Sequence, residues 1–325
     1  MISEDDLIAR FFAPIAGQGG LGLTDDAALV EIAADEELIV TADALAAGMH
    51  FFADDPPESI ARKALRINLS DLAAKGAKPA GFLLSLALPK DWREEWLSAF
   101  ANALADDARA FACPLLGGDT IRSPGELFLS ITAFGTVPHG KMVRREGARA
   151  GDRVYVSGTI GDAAMGLLLR KRKLVSKSFD QNARDFLLDR YLHPQPRLAL
   201  APILRAYATA AMDISDGLVG DITKMLRVSG VSAQIELPRI PLSDAARAAI
   251  TADPSIHERL FTGGDDYEIL CTVPPHASGS FEAAAEKALI DVTAIGVVEA
   301  GEDAPCFLDK NGTKRDFPRG SFSHF

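Results

Sequence analysis

A set of aspartates in this chain stands beside glycines or at the ends of apolar runs, where a carboxylate can do chemistry. Asp25 and Asp26 lie in "TDDAALV", after the glycine-rich "GQGGLGL". Asp43 lies in "TADAL", Asp71 in "NLSDLAAKGA" and Asp119 in "LLGGDT". Asp213 and Asp216 lie in "MDISDGL", and Asp265 and Asp266 in "TGGDDYEI". Loop starts at strand ends are where layered α/β proteins build ligand sites. Carboxylates that converge there repel and cost several kcal/mol to desolvate unless cations join them. Mg²⁺ suits such a set, because it is a hard ion usually held by a few carboxylates together with substrate phosphates. Any one of these residues could instead be a cap or turn former, a role aspartate fills by itself. The set as a whole points to metal-assisted phosphate chemistry.

Other motifs are weaker. "GTVPHGKM" matches GxxxxGK but ends in Met142, where a P-loop needs Ser or Thr, and glycines follow where a helix should start. "GQGGLG" is not followed by a helical pattern, which excludes a dinucleotide fingerprint, and no GxSxG or HExxH occurs. His50, in "AAGMHFF", is an isolated histidine and by itself reads as a packed or surface residue.

The elements that must position these acids can be read from pattern. The 325 residues suggest two domains, and 48% hydrophobic content is ample for two cores. A net charge of -11 argues against a nucleic-acid-binding surface. Three cysteines without a CxxC pair fit a reducing compartment and give no zinc pattern. The acidic start "MISEDDLIARFF" lacks a signal-peptide pattern, and the run "GFLLSLALP" is too short to span a bilayer. These features predict a cytoplasmic protein without membrane association.

A helix is expected from Ser3 toward Pro14. Strands are expected in "AALVEIA" and "ELIVTADAL", a helix over 58–76 capped at Gly76, and a buried strand in "AGFLLSLAL". "DWREEWLSAFANALADDARAFA" reads as a helix with Asp91 and Glu94 as a capping box. A short strand in "CPLLGG" and a longer one in "ELFLSITAFGTV" follow. The polar segment "HGKMVRREGARAGDR" reads as a linker, giving domains 1–148 and 149–325. In the second half, helices are expected at 161–172, 181–192, 197–207, 217–228 and 243–251, and strands near 153–157, 208–213, 232–236, 266–273 and 293–298. "DKNGTK" signals a hairpin turn. Alternating strands and helices indicate an α/β or α+β layered fold in both halves. "GGDT" and "GGDD", one per half, hint at related halves.

In order along the chain, "TDDAALV", "TADALAAGMHF", "KALRINLSDLAAKGAKPAGFLLSLALP", "LLGGDTIRSP", "REGARAGDRVYVSGTIGDAAMGL", "HPQPRLAL", "AMDISDGLVGDI", "TGGDDYEILCTVP" and the final "FSHF" closely resemble the thiamine-monophosphate kinase family. Single motifs are shared with a wider ATP-binding superfamily that includes aminoimidazole ribonucleotide synthetase and selenophosphate synthetase. The resemblance implies a two-domain fold like that of aminoimidazole ribonucleotide synthetase, in a homodimer that pairs N-terminal sheets. It implies ATP and several Mg²⁺ ions bound between domains, and direct transfer of the γ-phosphoryl group to thiamine monophosphate.

Carried over position by position, the resemblance makes Asp26, Asp43, Asp71, Asp119, Asp213 and Asp216 metal ligands, assisted by Thr41 and the Ala42 carbonyl. Asp26, Asp43, Asp71 and Asp119 would form the catalytic set, with Asp71 bridging several ions. Gly118, Asp119, Arg145 and Ser215 would contact ATP, and His50, Asp265 and Phe322 the substrate. The chain departs from the family pattern at four places, three of them among these residues. Thr24 stands where glycine is usual, Ala42 where threonine is usual, Asp265 where glutamate is usual, and Phe322 where tyrosine or tryptophan is common. The rivals are weaker. Selenophosphate synthetase needs a reactive cysteine or selenocysteine near the N-terminus, and the carbamoyl-dehydrating hydrogenase maturation protein needs a C-terminal cysteine; this chain has neither. A non-catalytic metal- or nucleotide-binding relative stays as the alternative from a different class.

Overall fold

A computed structural model describes residues 3–172, 174 and 180–318, so Phe322 lies outside the described residues. The chain divides into two units. One takes the chain through Leu72 and Ala77–Lys141; the other takes Ala73–Gly76 and the chain from Met142 onward.

The first unit opens with a short helix, α1 (Glu4–Leu7), which continues as a π-helical turn over Ile8–Phe12. Ser3 Oγ accepts the Asp6 N–H and donates to the Asp6 carboxylate, a reciprocal cap that starts the chain as the spacing predicts. The expected strand in "AALVEIA" does not form. Residues 27–33 join no ladder, and Leu29 and Ile32 are 57% and 39% exposed. An apolar run becomes a strand only when a neighbour offers its backbone groups. Here Leu29 N–H finds a single carbonyl, that of Gly19.

The remaining elements of this unit are β1 (Glu36–Ala46), α2 (Pro57–Ala74), β2 (Lys78–Leu88), α3 (Glu94–Ala110), β3 (Leu115–Arg122) and β4 (Phe128–Pro138). The four strands order as β1-β4-β2-β3, with β2 and β3 parallel and the other pairs antiparallel. One face of the sheet carries Ile39, Leu45, Leu84, Leu86, Leu129 and Ile131, all buried. On that side Leu72 of α2 lies over Gly135 of β4, and Arg66 of α2 holds Asp107 of α3 through two hydrogen bonds of 2.6 and 2.9 Å. Gly76 takes φ 73° just past α2, as a C-terminal cap requires. Two expectations change. α3 starts at Glu94 with Arg93 before it and no side-chain cap, and the residues expected to open it instead form a turn in which Trp92 N–H donates to Pro89 O. β3 is longer than "CPLLGG" and runs through "GGDT".

The second unit comprises β5 (Arg153–Ser157), α4 (Asp162–Arg170), α5 (Gln181–Leu192), α6 (Ala201–Tyr207), β6 (Ala210–Asp213), α7 (Leu218–Ser229), β7 (Val231–Glu236), α8 (Asp244–Ala252), α9 (Arg259–Thr262), β8 (Ile269–Val273), α10 (Ser278–Lys287), β9 (Val292–Ala300), β10 (Cys306–Leu308) and β11 (Lys314–Arg315). Its seven strands order as β11-β10-β7-β9-β5-β8-β6. Alternate residues of β5, Val154 and Val156 against Tyr155, enter two separate cores, so helices cover both faces. The hairpin at "DKNGTK" closes β10 onto β11, with Asp309 N–H donating to Thr313 O. α9 and α10 were not expected. The two glycine echoes are not equivalent: "GGDT" lies in a strand, whereas "GGDD" is an irregular loop. Asp265 and Tyr267 there adopt φ of 73° and 51°, which interrupts the extended path and delays β8 to Ile269.

Asp266 turns its carboxylate under the start of α4, accepting N–H groups of Gly161 at 2.8 Å and Ala163 at 3.4 Å. Desolvation pushes its pKa well above the usual carboxylate range; the hydrogen bonds to Gly161 and Ala163 oppose the rise, and the neighbouring Asp162 and Glu268 charges add to it. Folding therefore tightens this group's hold on its proton. Its contribution to stability is fully present below the unfolded value of about 4 and is lost as pH rises through the folded pKa. Asp266→Asn keeps an acceptor for α4 but cannot ionise. In denaturant melts, its stability relative to wild type is expected to improve between pH 5 and pH 8, whereas Asp266→Ala should lose about 1 kcal/mol at pH 5 through the unpaired N–H groups.

Candidate functional site

The acids singled out in the sequence fall into three groups, two in the first unit and one in the second. The first group forms where β1 crosses α2. Thr41 Oγ1 donates to Asp71 Oδ2 at 2.5 Å. Asp43 shares Thr41's face of β1, two residues along, while Ala42 points to the opposite face. Ala42 thus brings no side chain toward Asp71. Asp71 sits half-buried on α2, a helix whose flanking residues Asn68, Leu69, Ser70 and Leu72 are buried.

The second group lines an open cavity of about 710 Å³, shared by Asp25, Asp26, Gly118 and Asp119 with Leu83, Ser85 and Phe134. Asp25 Oδ1 accepts the Ala27 N–H at 3.4 Å, a short-range turn contact. Gly118 has φ 154°, and a Cβ there would lie 1.8 Å from Leu84 O, so no side chain fits between β3 and β2 at this point.

Strand register separates these two groups. Asp43 pairs with Ile131, Ile131 with Leu84, and Leu84 with Gly118, all in one row. Asp119 is one residue further along β3 and faces the other side of the sheet. β1 and β3 are the two edges, three strand spacings or about 14 Å apart. Within one chain, Asp119 and Asp43 therefore cannot hold the same ion.

His50 lies in the tight turn after β1. Its Nδ1 accepts the Ala46 N–H at 3.1 Å, so the neutral ring carries its proton on Nε2. The buried Lys63 donates to His50 O at 3.2 Å and fixes the turn from below.

The third group forms where β6 ends. Asp213 closes that strand and is buried. The segment after it is zipped to the "GGDD" loop by Asp265 N–H to Ser215 O at 2.9 Å and Tyr267 N–H to Ile214 O at 2.8 Å. This brings Asp265 beside Ser215, in the loop that also carries Asp216. A Cβ at Gly264 would lie 2.3 Å from Ser215 O, which explains the glycine there. Arg145 is exposed on the segment that opens the second unit.

Two residues of this group escaped the sequence reading. Asp221, in the first turn of α7, is fully buried and accepts the N–H groups of Ser215 and Asp216 at 3.1 and 2.9 Å. Lys224 donates to Asp216 and Asp221 at 2.5 and 2.9 Å. Burial raises the pKa of Asp221 while Lys224 lowers it; burial lowers that of Lys224, but the two carboxylates outweigh this and raise it. The sequence signal was an acid and a lysine three apart at the start of a predicted helix, where they share a face.

The side-chain atoms that Asp26, Thr41, Asp43, Asp71, Asp119, Asp213 and Asp216 offer are carboxylate or hydroxyl oxygens, the chemistry a hard divalent cation prefers. Among the described residues, no three His, Cys, Asp or Glu side chains converge closely enough to hold a metal ion.

Two family models match the chain: AIR synthase related protein, N-terminal domain, over residues 24–137, and the corresponding C-terminal domain over residues 149–307. The thiamine-monophosphate kinase of Caulobacter vibrioides is 40% identical over 310 residues, covering 94% of this chain and 86% of the relative. That of Escherichia coli K12 is 38% identical over 325 residues, covering 99% and 98%. Among solved structures, the thiamine-monophosphate kinase of Stenotrophomonas maltophilia superposes with a TM-score of 0.81 at 37% identity, over 90% of this chain and 91% of that one. AaThiL complexed with AMPPCP and TMP superposes with a TM-score of 0.77 at 32% identity, over 93% and 91%. The hydrogenase maturation protein HypE in complex with ATP, at 17% identity and a TM-score of 0.80, shares the fold. The chain belongs to the thiamine-monophosphate kinase family, within the wider group of AIR-synthase-related proteins.

Proposed function

We propose that this chain transfers the γ-phosphoryl group of ATP to thiamine monophosphate, giving thiamine diphosphate and ADP. The observation that carries the reading is the end-to-end match to thiamine-monophosphate kinases in a chain that retains all six aspartates of the inferred site. A solved relative bound to AMPPCP and TMP adds support. Phosphoryl transfer asks for positioning and charge neutralisation more than for covalent help from the protein. The thiols fit that demand. Burial pushes Cys113 and Cys271 up to about 12, so neither is a nucleophile near neutral pH.

In this reading Asp26, Asp43, Asp71, Asp119, Asp213 and Asp216 hold Mg²⁺. When bound, the ions neutralise phosphate oxygens and align donor with acceptor. Thr41 orients the Asp71 carboxylate through its hydrogen bond. Arg145 and Ser215 meet ATP, with Arg145 supplying fixed positive charge. Gly118 meets ATP through its backbone, beside Asp119, where β3 closes on β2. His50 presents its Nε2–H to the substrate, and Asp265 accepts from it. Phe322 is assigned an apolar contact with the thiamine rings.

The working form in this reading is a cytoplasmic homodimer. The outer face of the first unit's sheet exposes Leu38, Val40, Ile121 and Phe128, an apolar surface of the kind that marks an interface. Pairing that face with a second copy brings a partner chain to the side where Asp119 stands. In this reading a site shared between copies joins Asp119 of one to Asp43 and Asp71 of the other around a sheet edge, because β1 and β3 are the edge strands and the strand register denies these acids a common ion within one chain.

Incubation with ATP, Mg²⁺ and thiamine monophosphate should give thiamine diphosphate by chromatography, with free thiamine as the unreactive control; no product at high enzyme concentration overturns the assignment. Asp71→Asn keeps an acceptor for Thr41 and should fold normally, yet lose about 100-fold or more in turnover. If the site is shared between copies, inactive Asp71→Asn and Asp119→Asn proteins, unfolded and refolded together, should regain roughly a quarter of wild-type activity, because random pairing makes half the dimers mixed with one intact site each. No recovery in the refolded mixture would place Asp119 elsewhere.

A further inference from the structure

Lys224 occupies a carboxylate that the kinase reading assigns to Mg²⁺. Its ammonium lies 2.5 Å from Asp216 Oδ2 and 2.9 Å from Asp221 Oδ1. The two acids are not alike. Asp221 has no side-chain exposure, and its Oδ2 is taken by the N–H groups of Ser215 and Asp216. It is spent inside the fold, holding the loop that follows β6. Asp216 keeps 37% of its side chain in solvent, and Lys224 keeps 31%. Asp216 is thus open to an ion from outside, and Lys224 is placed to be displaced from it.

We propose that Lys224 is a built-in counter-cation for Asp216 that competes with Mg²⁺ for this carboxylate and so sets how weakly the loop binds the ion by itself. The inference rests on Asp216 being a metal ligand. Asp213, Asp216 and Asp221 fall within nine residues, and the ammonium offsets their repulsion, so the loop keeps its shape without a metal. A divalent ion arriving at Asp216 must break the contact with Lys224 and then tolerate a cation nearby. Both effects weaken binding. The lysine need not leave the site, because its flexible stem and three donors let it stay on Asp221 after releasing Asp216. The loop therefore takes an ion poorly until anionic phosphates bring charge of the opposite sign. That favours entry of the metal together with the nucleotide.

Mn²⁺ alone is the probe, titrated into the full-length protein and followed by loss of the free-ion electron paramagnetic resonance signal. Lys224→Gln removes the charge but keeps a donor for the buried Asp221, and Lys224→Arg keeps the charge. Lys224→Gln should bind one Mn²⁺ about two- to fivefold more tightly than wild type, the range expected for removing a partly exposed competing cation. Lys224→Arg should match wild type, and Asp216→Asn/Lys224→Gln should lose the gain. Lys224→Met, which lacks the donor, must move in the same direction as Lys224→Gln. Unchanged or weaker binding in Lys224→Gln overturns the proposal, and so does a gain that survives Asp216→Asn. The titration needs no turnover. A wild-type protein that makes no thiamine diphosphate would sink the kinase reading and leave this comparison standing.

Discussion

Carboxylates gathered at one place need positive charge or hydrogen-bond donors around them, and much of this chain's architecture answers that need. Where an acid is structural, the donors come from the chain itself. Asp221 has two backbone N–H groups and Lys224. Glu268 has Arg197 and the Ser157 hydroxyl. Asp266 has the start of α4. Of the acids in the proposed site, Asp26, Asp43, Asp71, Asp119 and Asp216 are left half-exposed or at a surface, and Asp213 alone is buried, at the end of β6. The division follows the cost of desolvation: a buried charge must be matched within the fold, whereas an exposed one can wait for an ion.

The second constraint is the two-residue period of a strand. It puts Thr41 and Asp43 on the face that meets α2 and turns Ala42 away. It also puts Asp119 on the opposite face at the far edge. One sheet therefore presents two acidic groups to two different sides. The outer side also exposes Val40 and Phe128, whereas the side with Asp43 and Asp71 is covered by α2.

Much of the layered fold was legible in the sequence. β1, β2, β4, α2, α5 and α7 follow from hydrophobic period, and Gly76 from its place after a helical run. The failures share a cause. "AALVEIA" has strand composition but no partner backbone. "CPLLGG" looked short because glycine usually ends a strand, yet β3 needs Gly118 inside it so that β2 can come close. The "GGDD" loop looked like the start of β8 because the positive φ of Asp265 and Tyr267 leaves no mark in the residue types. α10 was missed where its apolar residues are mostly alanine, too small to show a clear period.

By itself the sequence determined which family the chain belongs to, because residue type and order along the chain are enough to match motifs, and it singled out the residues proposed to carry the chemistry. Tertiary structure decided how the acids group. It set Asp71 against Thr41, Asp26 beside Asp119, and Asp265 beside Ser215, each pair brought together from distant parts of the chain or by a loop conformation. It alone paired Lys224 with Asp216. The reason is that hydrophobic period reports on one element at a time, whereas strand register, the sides of a sheet and ion pairing arise only when elements pack together.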